Sequence, residues 1–366
     1  MNYYIIAGEA SGDLHASNLM KSLKMLDGSA TFRCWGGDLM EKQGAKLVKH
    51  YRDLAFMGFT EVLMNIRTIF KNIDFCKKDI LENRPDVLIL VDYPGFNMRI
   101  ADFAKQNGIK VFYYISPQIW AWKQSRVHKI KKIVDKMFVI LPFEKEFYKR
   151  FDYEVDFVGH PLLDAVDNYA KESNELGITF SKPIIAVLPG SRKQEISTLL
   201  PLMLSMRKYY PNHQFVVAGA PSQSSEYYKT FFPDDDVKIV FGKTYPLLQK
   251  SEAALVASGT ATLETALFGV PEVVCYIAGK ISYVIAKQLI KVKYISLVNL
   301  IMDKEIVREL IQDDLNEANL KMELDKLLTA ATRAKLLSDY TELKTKLGGS
   351  GASQKTAELM IKYLSE

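Results

Sequence analysis

The sequence predicts an α/β protein made of two doubly wound halves with parallel sheets. Three observations carry that reading. Short apolar runs alternate with helix-length amphipathic stretches along nearly the whole chain, the pattern of repeated strand-helix units. One run, Val87-Leu88-Ile89-Leu90-Val91, is apolar at every position, as a strand covered on both faces must be. The chain also has 366 residues, and at roughly 150 residues per domain that length fits two cores better than one.

In the first half, strands are expected at 3–7, 31–35, 87–92, 111–116, 137–141 and 155–158, with helices at 14–26 and 96–106 among those between them. A polar stretch, 166–182, ends at Pro183 and reads as a linker. A second series follows, with strands at 184–188, 215–218, 237–241, 253–257 and 273–277. The expected domains are therefore 1–165 and 183–347. Beyond Gly348-Gly349-Ser350-Gly351 a helical tail, about 352–366, is free to return to the first half, within one chain or between two.

Composition removes several classes. A hydrophobic content of 48% with 25% charged residues is that of a globular protein, not of a disordered chain, a collagen or a coiled coil. A net charge of +5 is too mild to imply nucleic acid. The cysteines, Cys34, Cys76 and Cys275, form no CxxC pair, which argues against a disulfide framework or structural zinc and for a reducing compartment. The most apolar late stretch, 281–302, is broken by Lys287, Lys291 and Lys293, short of the roughly 18 apolar residues a membrane span needs. The N-terminus begins in a strand-like run and does not read as a signal peptide. The five histidines show no ligand spacing, and neither a Walker A loop nor GxSxG occurs, so no metal and no cofactor is expected.

The chemistry is sought in loops after strands, because ligands of open α/β sheets bind at the carboxyl ends, where helix N-termini offer unpaired N–H groups. The first is Ala7-Gly8-Glu9-Ala10-Ser11-Gly12-Asp13, either a substrate-approach loop or a structural turn capped by Asp13. The second is Asp92-Tyr93-Pro94-Gly95-Phe96-Asn97, where Asp92 ends the most buried strand; it is a candidate general base or, alternatively, a helix cap. The third, Pro189-Gly190-Ser191-Arg192 with Glu195 beyond it, joins backbone donors to a guanidinium and suits a diphosphate. In the fourth, Ser258-Gly259-Thr260-Ala261-Thr262, small residues open a helix and leave donors for an anion, while Glu264 one turn on could hold ribose. A fifth stretch, 116–123, carries Trp120 and Trp122 and precedes a basic run, 123–136. Like the apolar-basic segment 56–78, that run reads as solvated or core surface, or as a face toward anionic lipid.

Taken together these loops resemble a family, lipid-A-disaccharide synthase. The resemblance rests on AGEASGDLH at 7–15, GG at 36–37, MGFTEVL at 57–63, DYPGFN at 92–97, SPQIWAW at 116–122 and FVGHPLLD at 157–164. It continues through LPGSR with Glu195, SGTATLE at 258–264 and SLVNLI at 296–301, in family order over nearly the whole chain. It implies an inverting glycosyltransferase of the GT-B fold, two Rossmann-like domains facing each other across a cleft, needing no metal. The donor would be UDP-2,3-diacylglucosamine and the acceptor 2,3-diacylglucosamine 1-phosphate (lipid X), giving a β-1,6-linked disaccharide 1-phosphate and UDP.

The resemblance also assigns roles. Asp92 becomes the base on the acceptor 6-hydroxyl, with Glu9 as its rival, and Ser11 and Gly12 lie near the reacting sugar. Gly190, Ser191, Arg192 and the donors from Ser258 to Thr262 face the diphosphate, Glu264 holds ribose, and Asn299 serves the nucleotide or diphosphate. Acyl substrates give the basic and apolar stretches a reason to lie on the cytoplasmic face of the inner membrane, making the protein peripheral to it. Exchange of C-terminal segments in a homodimer follows from some members of the family. No nucleic acid partner is implied. A related UDP-sugar epimerase, a transferase with a soluble acceptor, or a silent sugar-nucleotide sensor would share the second-half site.

Overall fold

The computed structural model describes residues 1–54, 66–170, 176–232, 237–279 and 292–366. The motif at 57–63, the apolar residues at 56–59 and 62–64, linker positions 171–175 and the 281–291 part of the late apolar stretch lie outside the described residues. The chain divides into two compact units, Met1–Asp164 with Leu347–Glu366, and Ala165–Lys346.

The first unit is a parallel sheet of β1 (Asn2–Ala7), β2 (Thr31–Gly36), β3 (Lys46–His50), β4 (Val87–Val91), β5 (Lys110–Tyr114), β6 (Lys136–Val139) and β7 (Asp156–Phe157). Its order is β3-β2-β1-β4-β5-β6-β7. The second unit pairs β8 (Ile184–Leu188), β9 (Gln214–Gly219), β10 (Lys238–Phe241), β11 (Ser251–Ala257), β12 (Glu272–Tyr276) and β13 (Arg308–Ile311) in the order β10-β9-β8-β11-β12-β13. Each is a doubly wound, Rossmann-like sheet. In each, the order reverses beside the first strand, between β1 and β4 and between β8 and β11, and ligands of such sheets bind at that reversal.

The cores follow from the strand sequences. Every residue of β4 and of β8 is buried, and each Val, Leu or Ile so covered contributes about 1.5–3 kcal/mol. The expected strands are all present, but β3 and β13 were not anticipated. Both are sheet edges, and their sequences, KLVKH and RELI, carry charges on half-buried backbone, which masks the apolar pattern. The cysteines are buried and unpaired. Among the described residues, no helix is long and apolar enough to cross a membrane.

Helices begin earlier than the apolar periodicity marks, at Ala10–Leu26 and Pro94–Gln106. Asp13 is consequently inside its helix and does not cap it. Its carboxylate instead accepts from the backbone N–H of Gly37 (2.8 Å), Leu39 (3.1 Å) and Met40 (3.1 Å), capping the short helix Asp38–Lys42. A side chain at Gly37 would overlap both Asp13 and Tyr51, which is why glycine follows β2. The tail forms the helix Ala352–Ser365 and packs within the first unit. Asp164 accepts from its Gly351 (2.5 Å) and Ser353 (2.9 Å) N–H groups, and the Tyr363 hydroxyl donates to Asp156 at 3.0 Å.

Candidate active site

In the first unit, β1 and β4 pair with Ala7 opposite Val91, so the loops that follow them, at Gly8-Glu9 and Asp92-Tyr93, emerge side by side. Asp92 leaves the sheet with φ +44° and Tyr93 with φ +51°, a conformation costing side-chain-bearing residues roughly 1–3 kcal/mol each. The Asp92 N–H donates to the Tyr114 carbonyl (3.2 Å) and its own carbonyl accepts from Tyr113 Oη and Asn97 Nδ2, both at 2.6 Å. The Tyr93 ring covers Gly8 so closely that any side chain there would overlap it.

Burial first, and the Glu9 carboxylate second, push the Asp92 carboxyl up to about 6, against a smaller opposing hydrogen bond from the Tyr93 backbone. A carboxylate so placed is ionised at neutral pH yet basic enough to accept a proton from an alcohol. Glu9 is half-buried in extended backbone at the start of the helix Ala10–Leu26, and Ser11 is exposed in its first turn. Gly12 is different. It is buried, and an added Cβ would lie 3.2 Å from Ala7 Cβ, so it serves close helix-strand packing and presents no surface to a sugar.

In the second unit, β8 and β11 are neighbours, and the loops at 189–192 and 258–262 follow them. Gly190 has φ +99° and a Cβ there would collide with Glu195. The Glu195 carboxylate accepts from the N–H of Ser191 (3.2 Å) and of Arg192 (3.3 Å) and pairs with Arg192 Nη1 at 3.2 Å. These backbone donors, expected to meet a diphosphate, are thus engaged by Glu195, while the Arg192 side chain is exposed.

In the loop after β11, Gly259 and Thr260 are exposed at the start of the helix Thr260–Leu267, whose first turn carries no acidic residue to offset the macrodipole. Ser258 is half-buried, its N–H donating to Cys275 (3.0 Å) and its hydroxyl to Ile295 (3.3 Å). Ala261 is half-buried, but Thr262 is fully buried and its hydroxyl turns back to the Gly259 carbonyl at 2.8 Å, so it steadies the turn and does not face a ligand.

Glu264 lines a cavity of about 450 Å³ with Tyr169, Gly242, Lys243, Thr244, Tyr245 and Pro246. The Tyr245 hydroxyl donates to Glu264 Oε1 at 2.9 Å, and burial raises the Glu264 carboxyl. Rings of Tyr169, Tyr245 and Phe268 pack edge-on and tilted beside it, at 4.9–5.9 Å between centroids. A carboxylate beside aromatic walls in a space of that size suits a polyhydroxylated ring. Sequence reasoning missed Tyr245 and Lys243. They follow β10, and treating the carboxyl end of every expected strand as a candidate would have found them.

Asn299 requires a correction. It is fully buried in the helix Leu297–Met302; its Nδ2 donates to the Val307 carbonyl (2.8 Å) and Glu309 (2.9 Å), and its Oδ1 accepts from Ile306 (2.7 Å) and Val307 (3.0 Å) N–H groups. With both ends of the amide saturated inside the protein, Asn299 clamps the loop before β13 and has nothing left for a nucleotide. Trp120 and Trp122 part company too: Trp120 packs edge-on against Phe143, and Trp122 is exposed beneath Arg126. Among the described residues, no cluster of His, Cys, Asp and Glu could hold a metal ion.

A family model described as lipid-A-disaccharide synthetase matches residues 3–362. Relatives include lipid-A-disaccharide synthase of Geobacter metallireducens, 39% identical over 99% of this chain and 97% of that protein. Lipid-A-disaccharide synthase 1 of Legionella pneumophila (strain Paris) is 37% identical over the same shares, 99% and 97%. Among solved structures, UDP-GlcNAc 2-epimerase from Neisseria meningitidis bound to UDP-GlcNAc superposes with TM-score 0.69 at 12% identity, covering 99% of this chain and 100% of that one. The glycotransferase of kitacinnamycin gives 0.69 at 13%, covering 99% of each. At such identities the structural likeness speaks for the fold alone, two Rossmann-like units of the GT-B kind. The sequence matches, spanning every loop described above, decide the rest: the chain belongs to the lipid-A-disaccharide synthase family.

Proposed function

We propose that the protein transfers 2,3-diacylglucosamine from UDP-2,3-diacylglucosamine to lipid X, forming the β-1,6-linked disaccharide 1-phosphate and UDP. The observation that carries this is the family match over residues 3–362, which takes in the loops of both units. In the reaction, the acceptor 6-hydroxyl oxygen bonds to the anomeric carbon as the bond to the UDP oxygen breaks, inverting that centre. Asp92 takes the hydroxyl proton; burial, and after it the Glu9 charge, keeps the Asp92 carboxyl basic. Arg192 and the open N–H groups at Gly259 and Thr260 stabilise the charge that grows on the diphosphate, a role worth a few kcal/mol per donor. The Glu264 cavity receives the nucleoside.

A peripheral position on the cytoplasmic face of the inner membrane belongs to the same reading. It is supported by apolar side chains left in water on the helix Ile66–Asn83, Phe70 at 52% and Phe75 at 46% exposure, interleaved with Arg67, Lys71, Lys77 and Lys78. An exchanged homodimer would use the same Asp164 cap for the tail of a second copy; light scattering that returns a monomer mass overturns it.

The test is UDP release by purified protein given the donor with and without lipid X, in detergent and EDTA. Acceptor-dependent release with a disaccharide 1-phosphate in the mass spectrum is the expected result. Donor epimerisation or bare hydrolysis, without disaccharide, sinks the transferase reading.

A further inference from the structure

The carboxyl end of β4 turns through two consecutive left-handed residues, Asp92 and Tyr93; aspartate visits that region occasionally, as asparagine does, but a tyrosine there, and two such residues in a row, are uncommon. A conformation of this kind persists only where its surroundings hold it. Here, besides the Asp92 N–H bond to the Tyr114 carbonyl, two side-chain donors converge on a single atom. The Asp92 carbonyl oxygen accepts from the Tyr113 hydroxyl at 2.6 Å and from Asn97 Nδ2 at 2.6 Å, and Nδ2 also reaches the Val91 carbonyl at 3.3 Å. Tyr113 comes from β5, next to β4, and Asn97 from the first turn of the helix Pro94–Gln106. Both donors are fully buried, so neither touches a substrate.

We propose that Tyr113 and Asn97 are positioning residues for Asp92: by clamping its carbonyl they fix the kink that aims its carboxylate beside Glu9. The inference rests on the reading of Asp92 as the base. The direction of the Asp92 side chain is set by its own φ and ψ. If the clamp is released, the chain can relax toward an ordinary strand end, and the carboxylate swings away from the acceptor hydroxyl. Misplacement on the order of 1 Å is enough to cost about a hundredfold in rate. Tyr113 separates clamp from core, because phenylalanine keeps the ring and removes only the donor.

The experiment is a double-mutant cycle of Tyr113→Phe with Asp92→Asn on the full chain. kcat and acceptor KM are measured by disaccharide formation, with thermal melts of every variant. Asn97→Ala is the second probe, interpreted only if its melt shows a folded protein. The expected result is a fall in kcat of about tenfold or more for Tyr113→Phe at unchanged acceptor KM, and no further fall when it is added to Asp92→Asn. Wild-type kcat in Tyr113→Phe, or an equal loss in both backgrounds, overturns the positioning role while the base assignment stands. Full activity in Asp92→Asn is a different result: it removes the base assignment and the clamp's purpose with it.

Discussion

In the proposed role of base Asp92 must be ionised to take a proton, and its carboxyl is raised to about 6 because burial and Glu9 both disfavour the charge. The sign follows directly: kcat/KM should climb about tenfold per pH unit below roughly pH 6 and level off above it. Glu9→Gln removes the neighbouring charge and should move the acid limb to lower pH with activity retained; loss of activity there, with Asp92→Asn still active, would hand the base role to Glu9. A second residue-scale effect concerns stability. His15 is held down to about 4 and His160 to about 3, in both cases chiefly by burial. Below an ordinary histidine pKa the unfolded chain binds protons that the folded one refuses. Their stabilisation is complete above about pH 6.5 and is lost as pH falls toward 4 and then 3, a loss on the order of a few kcal/mol. His160 Nδ1 accepts only a local bond from the Leu162 N–H (3.2 Å), so His160→Asn should keep the turn and flatten the acid limb of a denaturation series.

At the scale of elements, the loops owe their shapes to partners distant in sequence. Asp13 satisfies the N–H of Gly37 and two N–H groups of the helix Asp38–Lys42 that follows it, and Asp13→Ala should cost roughly 3 kcal/mol in urea unfolding, while Asp13→Asn should cost less. Gly8 lies under the Tyr93 ring, so Gly8→Ala should displace Tyr93 and lower kcat more than it lowers the melting temperature. The positions of these loops were readable, because buried strands such as Val87-Leu88-Ile89-Leu90-Val91 announce where they end. The engagements within them were not. The Ser191 and Arg192 N–H groups and the Asn299 amide looked available for phosphate in the sequence, but Glu195 and the segment 306–309 occupy them. A motif names residue types at a spacing; whether a side chain is already satisfied depends on what the fold brings alongside.

For the whole molecule, the tail and the surface are the testable features. Asp164 caps the helix Ala352–Ser365 through two backbone bonds, with the whole second unit lying between them in sequence. Asp164→Ala should weaken that docking by about 1–2 kcal/mol and speed hydrogen exchange over 352–366 without changing exchange in β8 to β13. The exposed Phe70 and Phe75 lead to a separate outcome. Phe70→Glu with Phe75→Glu should abolish sedimentation with anionic vesicles and leave turnover of detergent-dispersed substrates intact; undiminished sedimentation would remove this helix from the membrane face.

By itself the sequence determined the α/β class, the two series of buried strands, and the four loops after β1, β4, β8 and β11, because hydrophobic periodicity and strand ends are local properties. Its motif order also pointed to the family. Only the tertiary structure decided that the Asp92 carboxyl is raised by burial and, second, by Glu9, that its carbonyl is held by Tyr113 and Asn97, that Tyr245 and Lys243 join Glu264 at a cavity, and that the Asn299 amide is engaged inside the protein. Those outcomes depend on which groups the parallel register sets side by side. Burial, charge and hydrogen-bond satisfaction belong to such neighbours, and no single stretch of chain contains them.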